Sequence, residues 1–75
     1  MRTPTSHPYA VNYYDTHGRA VGTTSHTTDR DAEETANRLL GRVTQTGTYI
    51  IRAVLLEQSP EWPDTYTPTG DEYEI

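Results

Sequence analysis

A chain of 75 residues with a net charge of −5 and no cysteine makes one small domain, and it excludes a disulfide framework, a thiolate metal site and a cysteine nucleophile. Such a chain buries only about 60% of its unfolded surface, and with 11 Leu, Ile and Val residues and no Phe its core must lean on six tyrosines and one tryptophan. No 18 apolar residues run together and the N-terminus lacks an apolar leader, so the sequence predicts no membrane span, no signal peptide and a cytoplasmic location.

Residues 1–8, with Pro4 and Pro8 among Thr and Ser, read as a flexible lead-in. Residues 9–14 alternate and residues 18–25 follow after Asp15, Thr16 and His17, with Gly18 suited to a type I turn with a G1 bulge, predicting a β-hairpin. Pairing of Tyr14 near Ala20 would put Tyr9, Val11, Tyr13, Val21 and Thr23 on one face, with Ala10, Asn12, Tyr14, Ala20, Gly22 and Thr24 on the other.

Thr27 and Thr28 supply N-cap oxygens, and Asp29, Asp31, Glu33 and Glu34 suit the positive end of a helix dipole. A helix is expected from Asp29 to Leu40 or Val43, with Ala32, Ala36, Leu39, Leu40 and Val43 as its apolar stripe and Gly41 as an alternative C′ residue. Residues 48–57 then form a strand that is apolar on both faces: Tyr49, Ile51, Ala53 and Leu55 on one, Ile50, Arg52, Val54 and Leu56 on the other. One helix covers one of them. The other is left for the tail, a second copy or a partner.

Residues 57–75 hold Glu57, Glu61, Asp64, Asp71, Glu72 and Glu74 and no basic residue. Pro60, Pro63 and Pro68 predict neither a helix nor a central strand there. The expected fold is α+β, a small antiparallel sheet of order β-β-α-β with one helix on one face. Residues 9–57 form the domain and residues 58–75 an irregular acidic arm, whose removal should leave the domain folded.

The Tyr14-Asp15-x-x-Gly18-Arg19 turn, followed by Thr28-x-x-Asp31-Ala32-Glu33-x-x-Ala36-x-x-Leu39, resembles the hairpin-plus-helix of arm-type DNA-binding modules in phage tyrosine integrases. The likeness covers residues 9–40. It implies a sheet that presents basic residues to DNA, with Arg2, Arg19, Arg30, Arg38, Arg42 and Arg52 available. At the matching strand positions, however, only Arg19 is basic, the neighbours being Ala20, Gly22, Thr23, Thr24 and Ser25. A strand after the helix is a further departure. All the basic residues being arginine, with threonine abundant, looks like the coding bias of an actinobacterium or its phage.

The histidines His7, His17 and His26 stand about ten residues apart without metal-ligand spacing. Ser25 and His26 are strand neighbours and point to opposite faces, which defeats a nucleophile and base pair. The sequence therefore predicts no catalytic site, cofactor or metal. It points to binding: Trp62, Tyr66 and Tyr73 as aromatic anchors, Trp62 stiffened by Pro60 and Pro63, with Glu61, Asp64, Asp71, Glu72 and Glu74 steering them to a basic protein surface. Tyr14 and Arg52 are expected to share the uncovered sheet face. The reading is a non-enzymatic protein-binding module, a phage-encoded inhibitor or nucleic-acid mimic, with a homodimer through the sheet. The alternatives are a small DNA-binding accessory protein, disfavoured by the net charge, and a structural subunit of a virion or larger assembly.

Overall fold

The computed structural model describes residues 8–62 and 64–75, in the order β1 (Tyr9–Asp15), β2 (Ala20–His26), α1 (Asp29–Leu39), β3 (Ile50–Gln58) and β4 (Tyr66–Glu74). The expected lead-in lies outside the described residues apart from Pro8, whose carbonyl accepts from the Gln58 N–H at 2.7 Å. The fold is α+β: one antiparallel four-stranded sheet, strand order β2-β1-β3-β4, with α1 packed on one face. No described helix is long and apolar enough to cross a membrane.

The β1–β2 turn follows its residues. Gly18 takes φ +77 and its N–H donates to the Asp15 carbonyl, while the Asp15 N–H donates to the Arg19 carbonyl, as a type I turn with a G1 bulge requires. Tyr14 pairs with Ala20, but Tyr13 already pairs with Gly22, so Val21 is an extra residue. That single insertion reverses the expected sidedness of β2. Thr24 and Gly22 lie on the face of Val11 and Tyr13, and Thr23 pairs with Asn12 on the opposite face.

Thr28 caps α1, its Oγ1 accepting from the Asp31 N–H at 3.1 Å. Ala32 and Ala36 are fully buried against Val11, Tyr13, Ala53 and Leu55, with Leu39 and Leu40 at the margin. Two alanines with no side chain beyond Cβ let the helix axis lie close to the sheet. The helix stops at Leu39 because Gly41 turns to φ +88. Val43 therefore leaves the stripe and is 62% exposed, bridged to Tyr49 in a small hairpin that leads into β3.

In β3 the expected faces hold from Arg52 onward: Ala53 and Leu55 under the helix, Arg52, Val54 and Leu56 on the other side. They fail at Ile50 and Ile51. Tyr14 pairs with Arg52 and Asp15 with Ile50, so Ile51 is bulged out and Ile50 turns to the helix side. On the face without the helix, Ala10, Val54 and Leu56 are buried, with Tyr14 and Tyr66 packed against them.

The expected irregular arm is replaced from Tyr66 onward by β4, which pairs with β3 from Gln58↔Tyr66 to Arg52↔Glu74. Proline is tolerated because β4 is an edge strand, where one side of the backbone needs no partner. Between Leu56↔Pro68 and Val54↔Glu72 the chain bulges. There Gly70 takes φ +100, Thr69 Oγ1 donates to the Leu55 carbonyl, and the Asp71 N–H returns to Thr69 Oγ1.

Candidate partner-binding surface

The residues expected to bind a partner separate into two groups. At one end of the open sheet face, Arg52 stands between Tyr14 on β1 and Glu74 on β4 in the ladder. Its guanidinium carbon lies 5.4 Å from the centroid of the Tyr14 ring, and its Nε donates to Glu72 Oε1 at 2.6 Å, with Nη2 on the same oxygen. An arginine among apolar neighbours thus finds its charge partner and its aromatic stack within the sheet. Both ends of the ion pair are partly solvated. Tyr66 lies on the same face further along, against Val54 and Leu56.

The second group is the β3–β4 connection. The Ser59 N–H donates to the Thr65 carbonyl, the Thr65 N–H to the Trp62 carbonyl, and the Trp62 N–H to Ser59 Oγ at 3.3 Å. These bonds close a turn that holds Trp62 outward, 66% exposed, with Glu61 and Asp64 exposed beside it. The stiffening expected from Pro63 falls on a residue outside those described. From Arg52 to Gln58, β3 rises about 20 Å, so the Trp62 turn and the Arg52 cluster occupy opposite ends of the sheet.

Strand register places more acid near Trp62. His26, Tyr9, Glu57 and Thr67 form one row across the sheet, so the start of α1, with Asp29 and Asp31, is at the same end as the turn. Asp71 and Glu72 lie along the exposed β4 edge. Tyr73 joins neither group. It turns to the helix side against the core, and burial first, then Glu33, Asp71 and Asp29, raises its hydroxyl above the ordinary tyrosine range.

Two arrangements escaped sequence reasoning. Tyr13 hydroxyl lies 2.7 Å from Thr24 Oγ1, which lies 2.6 Å from His26 Nε2, and His26 Nδ1 lies 2.7 Å from Asp31 Oδ2. A carboxylate only accepts, so Nδ1–H donates to Asp31 Oδ2, and Nε2 and the two hydroxyls continue the row of hydrogen bonds across to Tyr13. The available signal was the i, i+2 spacing of Thr24 and His26, which puts both on one face of a strand.

The other is Asp15, whose side chain is 1% exposed. One carboxylate oxygen accepts the N–H groups of His17 and Arg19, both at 2.9 Å, and the other accepts the Thr48 hydroxyl at 3.1 Å. The Arg19 N–H, helped by the His17 N–H, the Thr48 hydroxyl and the Arg19 charge, holds the carboxyl below its ordinary range against the opposing effect of burial. Asp15 forms the floor of a cleft of about 550 Å³ bounded by Arg19, Val21, Val43, Thr44 and Ile50.

Among the described residues no group of His, Asp or Glu is placed to hold a metal ion. Of the arginines considered for DNA, Arg30 pairs with Glu34, Arg38 donates to Thr35, Arg19 faces Asp15 and Arg52 faces Glu72, while Arg2 lies outside the described residues. Comparison with protein-family models, curated proteins and solved structures returns no match for this chain.

Proposed function

We propose that the chain is a non-enzymatic protein-binding module that docks the Trp62 turn, with its surrounding carboxylates, on a basic protein surface. The observation that carries this reading is the exposed tryptophan itself. A large ring left two-thirds exposed on a hydrogen-bonded turn gives the domain little by way of burial, yet it offers a partner an aromatic contact of the kind that dominates interface energetics. Glu57, Glu61, Asp64, Asp29 and Asp31 at the same end supply long-range attraction to a cationic target and oppose approach to phosphate. An inhibitor or nucleic-acid mimic of phage origin is the biological role that matches such a surface.

The test is retention of a basic protein from a host extract by the immobilised chain. Capture should be lost on Trp62→Ala and on the Glu61→Lys/Asp64→Lys double substitution, and weakened by salt. Trp62 is the only tryptophan, so its emission should shift to the blue when the purified target is added. Equal capture by wild type and Trp62→Ala would remove the reading, and a salt-sensitive DNA gel shift would favour the nucleic-acid alternative. Point substitutions are the right tool because residues 66–74 belong to the sheet, and their removal would strip β3 of a neighbour.

A further inference from the structure

The two edges of the sheet are built differently. β4 is guarded: Pro68 lacks an N–H, the chain bulges at Thr69, Gly70 and Asp71, and Asp71, Glu72 and Glu74 line it. β2 has none of these along most of its length. From Ala20 to His26 it contains no Asp, Glu, Lys, Arg or Pro, its one irregularity sits near its start at Val21, and Ala20, Val21, Gly22, Thr23 and Ser25 are all exposed. An uncharged edge strand is a template for another strand, and charge or proline is the usual protection against it.

We propose that β2 is a self-association edge: two copies pair antiparallel through β2 across a two-fold axis at Thr23, joining their sheets into one of eight strands. A second copy is the occupant because the pairing is self-complementary in charge. In an antiparallel isologous contact each residue meets the one equally far beyond the axis, so a strand that carries a single sign of charge opposes like with like. β4 would do so with Asp71, Glu72 and Glu74. β2 instead sets Thr23 against Thr23 and Val21 against Ser25 of the second copy. The same register brings the exposed Arg19 of each copy alongside residues 27–29 of the other, where Asp29 opens the helix. Both helices lie on the same side of the joined sheet, because an antiparallel edge-to-edge axis runs perpendicular to the sheet plane. A seven-residue edge is small beside a standard interface of about 800 Å² per partner, so association is concentration-dependent rather than permanent. The Trp62 turn lies outside this contact, and the inference stands independently of the docking reading.

The experiment measures the full chain by sedimentation equilibrium from micromolar to millimolar concentration, alongside Thr23→Lys/Ser25→Lys, with circular dichroism confirming that both are folded. The wild type should show a monomer–dimer equilibrium, and the double substitution should weaken it at least tenfold. The chain has no native thiol, so Thr23→Cys should form a disulfide-linked dimer on mild oxidation, since a bridge needs Cβ atoms about 4 Å apart and only positions directly across the axis reach that. Thr67→Cys on β4 should not. A monomer throughout, a dimer indifferent to the lysines, or linkage through Thr67→Cys in place of Thr23→Cys overturns the proposal.

Discussion

His26 is hydrogen-bonded through Nε2 to Thr24, two residues earlier on the same strand, and donates from Nδ1 to Asp31 on the helix, so a single buried imidazole couples the end of β2 to the first turn of α1. The order hydroxyl, imidazole, carboxylate is that of a hydrolase triad, but the Thr24 oxygen is engaged by the Tyr13 hydroxyl, and the cleft by Asp15 lies at the other end of β1. This row of hydrogen bonds fastens β2 to α1. Thr24→Val should cost about 1 to 2 kcal/mol in urea unfolding, because it leaves the buried His26 ring nitrogen and Tyr13 hydroxyl without their partner, and His26→Phe about 1 kcal/mol, because it removes bonds to a half-buried hydroxyl and an exposed carboxylate. Proton NMR should show slowly exchanging Tyr13 and Thr24 hydroxyl protons that vanish in His26→Phe.

Tyr13 gives an alkaline signature. Burial raises its hydroxyl above the ordinary value of 10.0, outweighing the bond to Thr24 and the charge of Arg38, and burial likewise raises Tyr73. A group whose folded pKa is raised contributes fully below its unfolded pKa and loses that contribution as pH climbs through the folded value. Ultraviolet titration should therefore show two tyrosines ionising late. Stability should decline in the same range above pH 10, and Tyr13→Phe should remove one of the late transitions and flatten the decline.

Asp15 gives the acid counterpart. Its folded carboxyl is held below the ordinary range, first by the Arg19 N–H, so its contribution is present above the unfolded pKa of about 4 and is lost as pH falls through the lower folded value. Thermal unfolding midpoints should drop on acidification below about pH 4. Asp15→Asn should already be destabilised at neutral pH and should lose part of that acid dependence. The same substitution should loosen the residue 43–48 hairpin, measured as faster amide exchange at Thr48, since Thr48 donates to this carboxylate.

Packing and surface charge should differ sharply in cost. Ala36→Leu forces a side chain into the closest approach between helix and sheet and should destabilise by about 1 to 3 kcal/mol, whereas Leu55→Ala should cost about 2 to 5 kcal/mol by leaving a cavity. Arg52→Ala should cost only about 0.5 kcal/mol from the ion pair, which is nearly half exposed. Calorimetry of the three variants orders these effects.

Elements marked by local chemistry were legible in the sequence. Gly18 at the hairpin turn, Thr28 at the helix cap and Gly41 beyond the helix each meet a requirement that few other residues satisfy. The insertions at Val21 and Ile51 were not, because a bulge is set by the pairing partner and leaves no mark on the strand's own pattern, yet each reverses the sidedness beyond it. β4 was hidden by Pro68, Gly70 and its carboxylates, which argue against a strand locally and are compatible with an edge strand once β3 stands beside it. Alternation suggested a shared face for Tyr14 and Arg52, but their juxtaposition follows from β1 lying beside β3, a strand order the sequence left open. The distance between them and Trp62 depended on the unread turn.

The strand order β2-β1-β3-β4 has a kinetic meaning. The sheet is two sequence-local hairpins, β1 with β2 and β3 with β4, fastened along one seam where β1 meets a strand about forty residues away. Hairpins close in about 1 to 10 μs, while closing the long loop between β1 and β3 must be entropically financed before any seam contact forms. The seam is lined by Val11, Tyr13, Ala53 and Leu55, and these side chains also hold the helix. The residues that close the seam are therefore the ones α1 docks on, which couples closure of the seam to docking of the helix.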